Sequence, residues 1–250
     1  NIAPHGLVIL VSFQDVAFAT PKAEMDSMLN GKNYSRNYRG YINSTGRMGT
    51  IKAEGSAWKY FHDASSGQYS PTFDVVGPVT VSHNYAYYGA NVSQWGIESD
   101  GKADEMIVEA VNLVDDEVDF TIYDNDKDGK VDFVYVFYAG YAESDGCEDG
   151  SDYIWPHNYH LSYTGRYPKV DGKTVDNYAC SADLNCIDDS HDGIGTFCHE
   201  FSHVLGLPDL YITQSNSTHK TLGDWDILDS GPYNNSGNTP PTYSAYERFF

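Results

Sequence analysis

The sequence predicts an α+β fold: a twisted mixed sheet with a backing helix, a second helix carrying a metal site, and an irregular C-terminal lobe. Three observations lead there. Short apolar or β-branched runs alternate with segments of helical periodicity. The stretch HEFSHVLGLPD at 199–209 sets two histidines four residues apart. From about residue 210, glycine, asparagine, serine and proline dominate with little periodicity. At 250 residues the chain suffices for one large domain with an ample core. The expected division is an upper lobe over about 1–209 and a lower, irregular lobe over about 210–250, with a cleft between them that crosses the metal.

The elements follow in order. LVILVSF (7–13) is a continuous apolar run stopped by Gln14 and Asp15, the mark of a buried strand. Residues 57–64 read as a short helix closed by Ser65, Ser66 and Gly67. FDVVGPVTV (73–81) reads as a strand interrupted at Gly77-Pro78. Over 103–114, Met106, Ile107, Ala110, Val111 and Val114 recur at helical spacing, which gives an amphipathic helix packed on the sheet. VDFVYVFY (131–138), bounded by Gly129 and Gly140, is a strand by its β-branched and aromatic content. The helix over about 195–205 carries the metal site and also backs the sheet. No internal repeat stands out.

Composition narrows the class. Hydrophobic content of 40% excludes general disorder, and no run approaches the roughly 20 apolar residues of a membrane span. A formal charge of −21 argues against a nucleic-acid partner and suits a secreted, monomeric protein that could bind Ca²⁺. The chain opens at Asn1 without a leader and closes on ERFF, which reads as helix interior. A pro-segment and further C-terminal domains are therefore expected outside this stretch. The cysteines are Cys147, Cys180, Cys186 and Cys198. Two bridges are possible, Cys180 and Cys186 are the nearest pair, and Cys198 reads equally well as a small buried side chain. No CxxC spacing suggests a thiolate zinc site.

Chemistry concentrates at 199–209. On a helix, His199 and His203 share a face and can present two imidazoles to one ion. Glu200 can reach the open coordination position without being a ligand itself. That pattern suits Zn²⁺: two nitrogens to hold it, a carboxylate to take a proton from its water. Gly206 lets the backbone leave the helix, Pro208 prevents resumption, and Asp209 arrives where a third ligand is required. The competing reading, an amphipathic core helix with two surface histidines, gives no use to this exit.

A second constellation is DNDKDGKVD at 124–132. Asp124, Asp126, Asp128 and Asp132 occupy positions 1, 3, 5 and 9 of a calcium-loop pattern, with Gly129 at 6 and Lys130 offering its carbonyl at 7. The twelfth position is Tyr135 and a strand follows, so this is no true EF-hand. Its expected role is structural; the alternative is a plain acidic turn. The acidic run at 143–152 reads as solvated loop, and His157 as a structural or supporting residue.

Together these motifs carry a family resemblance. HEFSHVLGLPDLY, DNDKDGKVDFVYVFYAG, Trp155-Pro156-His157 and GDWDILDSG (223–231) are similar to the M6 family of secreted bacterial metallopeptidases, the immune-inhibitor-A type, within the metzincin-like zincins. The likeness spans most of the chain. It implies a zincin-type fold and a secreted zinc endopeptidase acting on proteins or peptides, often calcium-stabilised. It implies His199, His203 and Asp209 as zinc ligands and Glu200 as general base. Where metzincins carry a methionine in a tight turn below the metal, this chain has Leu228, which can supply the same apolar floor. Tyr233, just beyond that turn, is a candidate donor to the developing oxyanion. Two other functions fit less well. One is a catalytically inactive, calcium-dependent binding or adhesion module, against which an intact Glu200 speaks. The other is a zinc hydrolase of non-peptide esters or amides, which only the family likeness disfavours.

Overall fold

A computed structural model describes residues 3–42, 47–94, 97–148, 150–186, 189–212 and 218–249. Its architecture is mixed α and β, and the chain divides into two compact units. One comprises Pro4–Asp26 and Thr72–His191; the other comprises Asn1–Ala3, Ser27–Pro71 and Asp192–Phe250.

The first unit is built on a five-stranded sheet in the order Thr72–Thr80, His5–Ser12, Val134–Tyr138, Asn177–Ala182, His157–His160. The first four run parallel and His157–His160 adds antiparallel at the edge. Two of the predicted strands sit inside the sheet because their apolar runs are continuous: Leu7 to Val11 and Val134 to Tyr138 are all essentially buried, while the third, Thr72–Thr80, forms an edge. The predicted helix Ala103–Val114 is present, and Met106, Ile107, Ala110, Val111 and Val114 share one core with Leu7, Ile9, Val11, Val134 and Val136. Asp104 and Glu105 in its first turn suit the positive helix end, and Arg166 pairs with both, at 2.8 and 2.9 Å.

The strand expected over 131–138 is broken. Lys130–Val131 joins a small three-stranded sheet beside Lys173–Val175, and only Val134–Tyr138 enters the main sheet. Asp132 lies at the break because its carboxylate is tied back to Asn125, through the backbone at 3.3 Å and the side chain at 2.8 Å. Apolar content alone did not reveal that tether. Two antiparallel hairpins, Ser35–Ile42 with Arg47–Glu54 and Asn91–Gln94 with Ile97–Asp100, are additions to the predicted elements. Cys147 is bonded to Cys186, whereas Cys180, the nearest cysteine in sequence, is a buried thiol. Cys198 is likewise a buried thiol, as its small-side-chain reading expects.

The second unit holds the HEFSH helix, Ile194–Val204. It packs on the helix Ala57–Ala64, whose start is capped by Ser56 Oγ accepting from Lys59 N. Phe61 meets Phe201 edge-on at 5.0 Å between ring centres, and Phe197 stacks on Phe201 at 5.8 Å. All three rings are buried, so truncating Phe201 to alanine should cost about 3–5 kcal/mol. Among the described residues beyond 210 the chain is irregular as expected, with single turns at Gly223–Trp225 and Gly231–Tyr233 and a short closing helix, Ala245–Phe249. Among the described residues no helix is long and apolar enough to cross a membrane.

Candidate metal centre

The HEFSH helix is fixed at both ends by backbone. At its start Gly195 donates N–H to the Gly237 carbonyl at 2.8 Å, and a Cβ on Gly195 would sit 2.0 Å from the Pro232 oxygen. Only glycine admits the tail this close. At its end Gly206 takes φ +96°, with Gly206 N bonded to His203 O at 2.9 Å and Leu207 N to Ser202 O at 3.1 Å. This pair of bonds is a Schellman motif, which turns the chain sharply and carries Asp209 back toward the helix.

The consequence is a convergence of three side chains. His199 Nε2 and His203 Nε2 lie 3.2 Å apart. Asp209 Oδ1 lies 3.4 Å from the first and 3.2 Å from the second. Each outward imidazole nitrogen is engaged: His199 Nδ1 with Ile227 O at 2.7 Å, His203 Nδ1 with Leu207 O at 2.8 Å. A carbonyl only accepts, so both Nδ1 atoms carry the proton and both Nε2 atoms present lone pairs. Two lone pairs and a carboxylate oxygen crowded together repel unless a cation sits among them. Ligand atoms around tetrahedral zinc are about 3.3 Å apart when bonds are about 2.0–2.1 Å. The donor set therefore fits a divalent ion of that kind.

Glu200 stands beside this triangle, almost fully buried, with Oε1 at 4.0 Å from His199 Nε2. Burial pushes its carboxyl up to about 7, against the pull of the two histidines. In the ion-free site a proton on an Nε2 can stand in for the cation: burial would raise the Asp209 pKa, but hydrogen bonds from His199 and His203 protonated in this way outweigh it and hold the group well below the usual carboxylate range. The same bonds keep both imidazoles above their ordinary value despite burial.

Tyr211 is a member of this neighbourhood that the sequence reading missed. Burial and the nearby Asp209 carboxylate raise its hydroxyl to about 12. The available signal was its position two residues beyond Asp209 on an extended exit, where alternate side chains share a side. Tyr233 is half exposed on the Gly231–Tyr233 turn and feels Tyr211 electrostatically. Leu228 is fully buried, and its carbonyl accepts from Leu210 N at 2.8 Å, next to the third member of the triangle.

The loop 124–132 differs. One oxygen each of Asp124, Asp126 and Asp132 come together, without Asp128. Asp124 is already committed: Oδ1 accepts from Asp128 N at 2.9 Å, and Oδ2 from Gly129 N at 3.1 Å and Lys173 Nζ at 2.6 Å. The Lys173 ammonium holds the Asp124 carboxyl below the usual range. Asp128 accepts from Lys130 N at 2.8 Å. The remaining expectations concern single residues. His157 bonds Trp155 O and Tyr178 OH at 2.7 and 2.8 Å, a structural engagement of both nitrogens. The run 143–152 is stapled by Cys147–Cys186 and carries a half-buried Asp145 whose carboxyl burial raises to about 6, so it is less solvated than its charge suggests.

Comparison with known proteins now meets this geometry. The family model of the immune inhibitor A peptidase M6 catalytic domain matches residues 4–250. The chain belongs to the M6 peptidase family. It is 31% identical over 215 residues to the pre-pro-metalloprotease PrtV of Vibrio cholerae serotype O1, a match covering 77% of this chain and 23% of that protein. It is 25% identical over 218 residues to immune inhibitor A of Bacillus thuringiensis subsp. alesti, covering 77% and 31%. The chain thus spans about a quarter to a third of the length of these relatives.

Proposed function

We propose that this chain is the catalytic domain of a secreted bacterial zinc endopeptidase with a zincin-type active site. His199, His203 and Asp209 would hold the ion and Glu200 would act as general base. The observation that carries the reading is the triangle of Nε2, Nε2 and Oδ1, with every other donor of the two imidazoles spent on a backbone carbonyl. When bound, zinc supplies Lewis acidity toward the scissile carbonyl and brings water's pKa toward neutrality.

The chain's own groups do the rest. Glu200, buried beside the triangle, accepts the proton of the attacking water and passes it to the leaving amine. Burial raises the Glu200 carboxyl above the ordinary carboxylate value, which makes it a stronger base than a solvated carboxylate. Tyr211 lies near Asp209 and would restrain that carboxylate by donating to it. Tyr233, on the exposed turn nearby, is the better candidate to donate to the oxyanion. The name pre-pro-metalloprotease, borne by one relative, supports a secreted precursor for this chain too. For 124–132 we propose a structural calcium loop in which Lys173 competes with the ion for Asp124.

The test is metal analysis of the purified protein with casein cleavage by wild type and Glu200→Gln. One zinc per chain in both, with cleavage only in wild type, is expected. Equal cleavage by both removes Glu200 from the mechanism; absence of zinc from both removes the metal centre.

A further inference from the structure

Two buried carboxyl groups, Asp226 in the turn that supports the HEFSH helix and Glu247 in the closing helix, belong to none of the machinery described so far. Asp226 is fully buried. Its Oδ1 accepts from Leu228 N at 2.8 Å, and its carbonyl accepts from Gly231 N at 3.0 Å, so it shapes the turn 226–231. Glu247 is 5% exposed. Its Oε2 accepts from Ser244 N while Ser244 Oγ faces Glu247 N, the reciprocal capping box that starts the closing helix.

Each carboxyl therefore has one oxygen in use. The second oxygens, Asp226 Oδ2 and Glu247 Oε1, are buried without a hydrogen-bond partner among the described residues. Burial raises the Glu247 carboxyl, and Asp226 is close enough for its charge to add to that effect. Two ionised carboxylates cannot sit so in a dry interior, since each orphaned acceptor costs desolvation and the charges repel. One proton held between them satisfies both orphans at once.

We propose that Asp226 and Glu247 share a proton and act as positioning residues that hold the turn 226–231, and through it the Ile227 carbonyl, against His199. This rests on the reading of His199 as a metal ligand. The path is short: Asp226 fixes the turn, Ile227 O takes the His199 Nδ1 proton at 2.7 Å, and that bond aims Nε2. The other groups facing the pair are Tyr60 and Tyr243, with Cys198 close to both tyrosines. Burial keeps all three protonated at neutral pH. Arg248, the nearest cation in sequence, is turned instead to Tyr243 O and Thr242 Oγ1, at 2.9 and 2.8 Å.

Burial, with Asp226 beside it, raises the Glu247 carboxyl above its ordinary value. A carboxyl raised on folding stabilises the fold while protonated. That contribution is lost as pH climbs from the ordinary carboxyl range through the folded value. Glu247→Gln replaces the labile proton with a permanent amide donor and keeps the oxygen that caps Ser244. Glu247→Leu keeps bulk and orphans Asp226.

The experiment melts the metal-free wild type and Glu247→Gln from mildly acidic to mildly alkaline pH, and measures zinc affinity of all three proteins by chelator competition. Expected is a melting temperature that falls with rising pH in wild type and much less in Glu247→Gln. Zinc affinity should stay wild-type in Glu247→Gln and fall roughly 10–100-fold in Glu247→Leu. Parallel pH profiles for wild type and Glu247→Gln overturn the shared proton, and they decide alone if Glu247→Leu fails to fold. Wild-type affinity in a folded Glu247→Leu overturns the positioning role. Failure of the wild type to bind zinc at all would instead overturn the metal reading and the positioning role together, while the metal-free curves still judge the proton.

Discussion

The triangle at His199, His203 and Asp209 and the loop at 124–132 are both motif-dense, and both bring three side chains of metal-ligating type together. What separates them is where their hydrogen bonds go. At the triangle, each imidazole spends its N–H on a carbonyl and points its remaining lone pair inward. At the loop, Asp124 spends both oxygens on backbone N–H groups and an ammonium. A motif dictates spacing along the chain. Only the disposal of every other donor and acceptor decides whether a converging cluster is short of a cation or already satisfied.

The largest effects should come from the triangle itself. Asp209→Ala should abolish stoichiometric zinc and casein cleavage together, since loss of a mere supporting bond already costs about 10–100-fold in affinity. Asp124→Asn should lower the melting temperature and leave zinc content untouched. If both variants lose zinc to the same degree, the two clusters are not distinct in kind. Next is Glu200→Gln, which should retain zinc and lose about 10²–10⁴-fold in kcat/KM. As a base, Glu200 must be ionised, so activity should fall as pH drops through its pKa. A bound cation favours the ionised form, which sets that acid limb below the free-site value of about 7. An acid limb unchanged in a Glu200→Asp variant would assign it to another group.

A smaller effect belongs to Tyr211. Tyr211→Phe removes a hydroxyl from beside Asp209 and leaves its two histidine contacts in place. Zinc affinity should fall about tenfold, by analogy with other supporting bonds, and Tyr233→Phe should reduce kcat with affinity unchanged. If Tyr233→Phe lowers affinity and leaves kcat alone, the roles of the two tyrosines are reversed.

The legible parts of this protein are those written locally. Helical spacing over Ala103–Val114, the apolar run at the first strand and the His-Glu-His face each need only a dozen consecutive residues. So does the Schellman exit, because Gly206 and Pro208 mark it directly. The illegible parts depend on distant partners. Ile227 supports His199 through a carbonyl, which any residue at that position would offer. Lys173 reaches Asp124 across 49 residues, and Cys147 finds Cys186 across 39 in preference to the nearer Cys180. The hairpin Asn91–Gln94 with Ile97–Asp100 is largely polar, so alternation gave no warning of it.

The subtlest effect concerns Lys173 itself. In the absence of calcium its ammonium is what neutralises Asp124, so Lys173→Met should destabilise the protein in chelator. Calcium bound in the proposed loop would compete for the Asp124 carboxylate, and removing the ammonium removes the competitor. Added calcium should therefore raise the melting temperature more in Lys173→Met than in wild type, at roughly 2–4 °C for each kcal/mol of stabilisation in a chain of this size. The Asp124 carboxyl, held low by Lys173, adds its stability above the ordinary carboxyl range and loses it as pH falls through the lowered value. In Lys173→Met without calcium that acid transition should move up. Identical responses of both proteins to calcium would leave 124–132 a salt-bridged turn, satisfied from within the chain, and would make the contrast with the triangle complete.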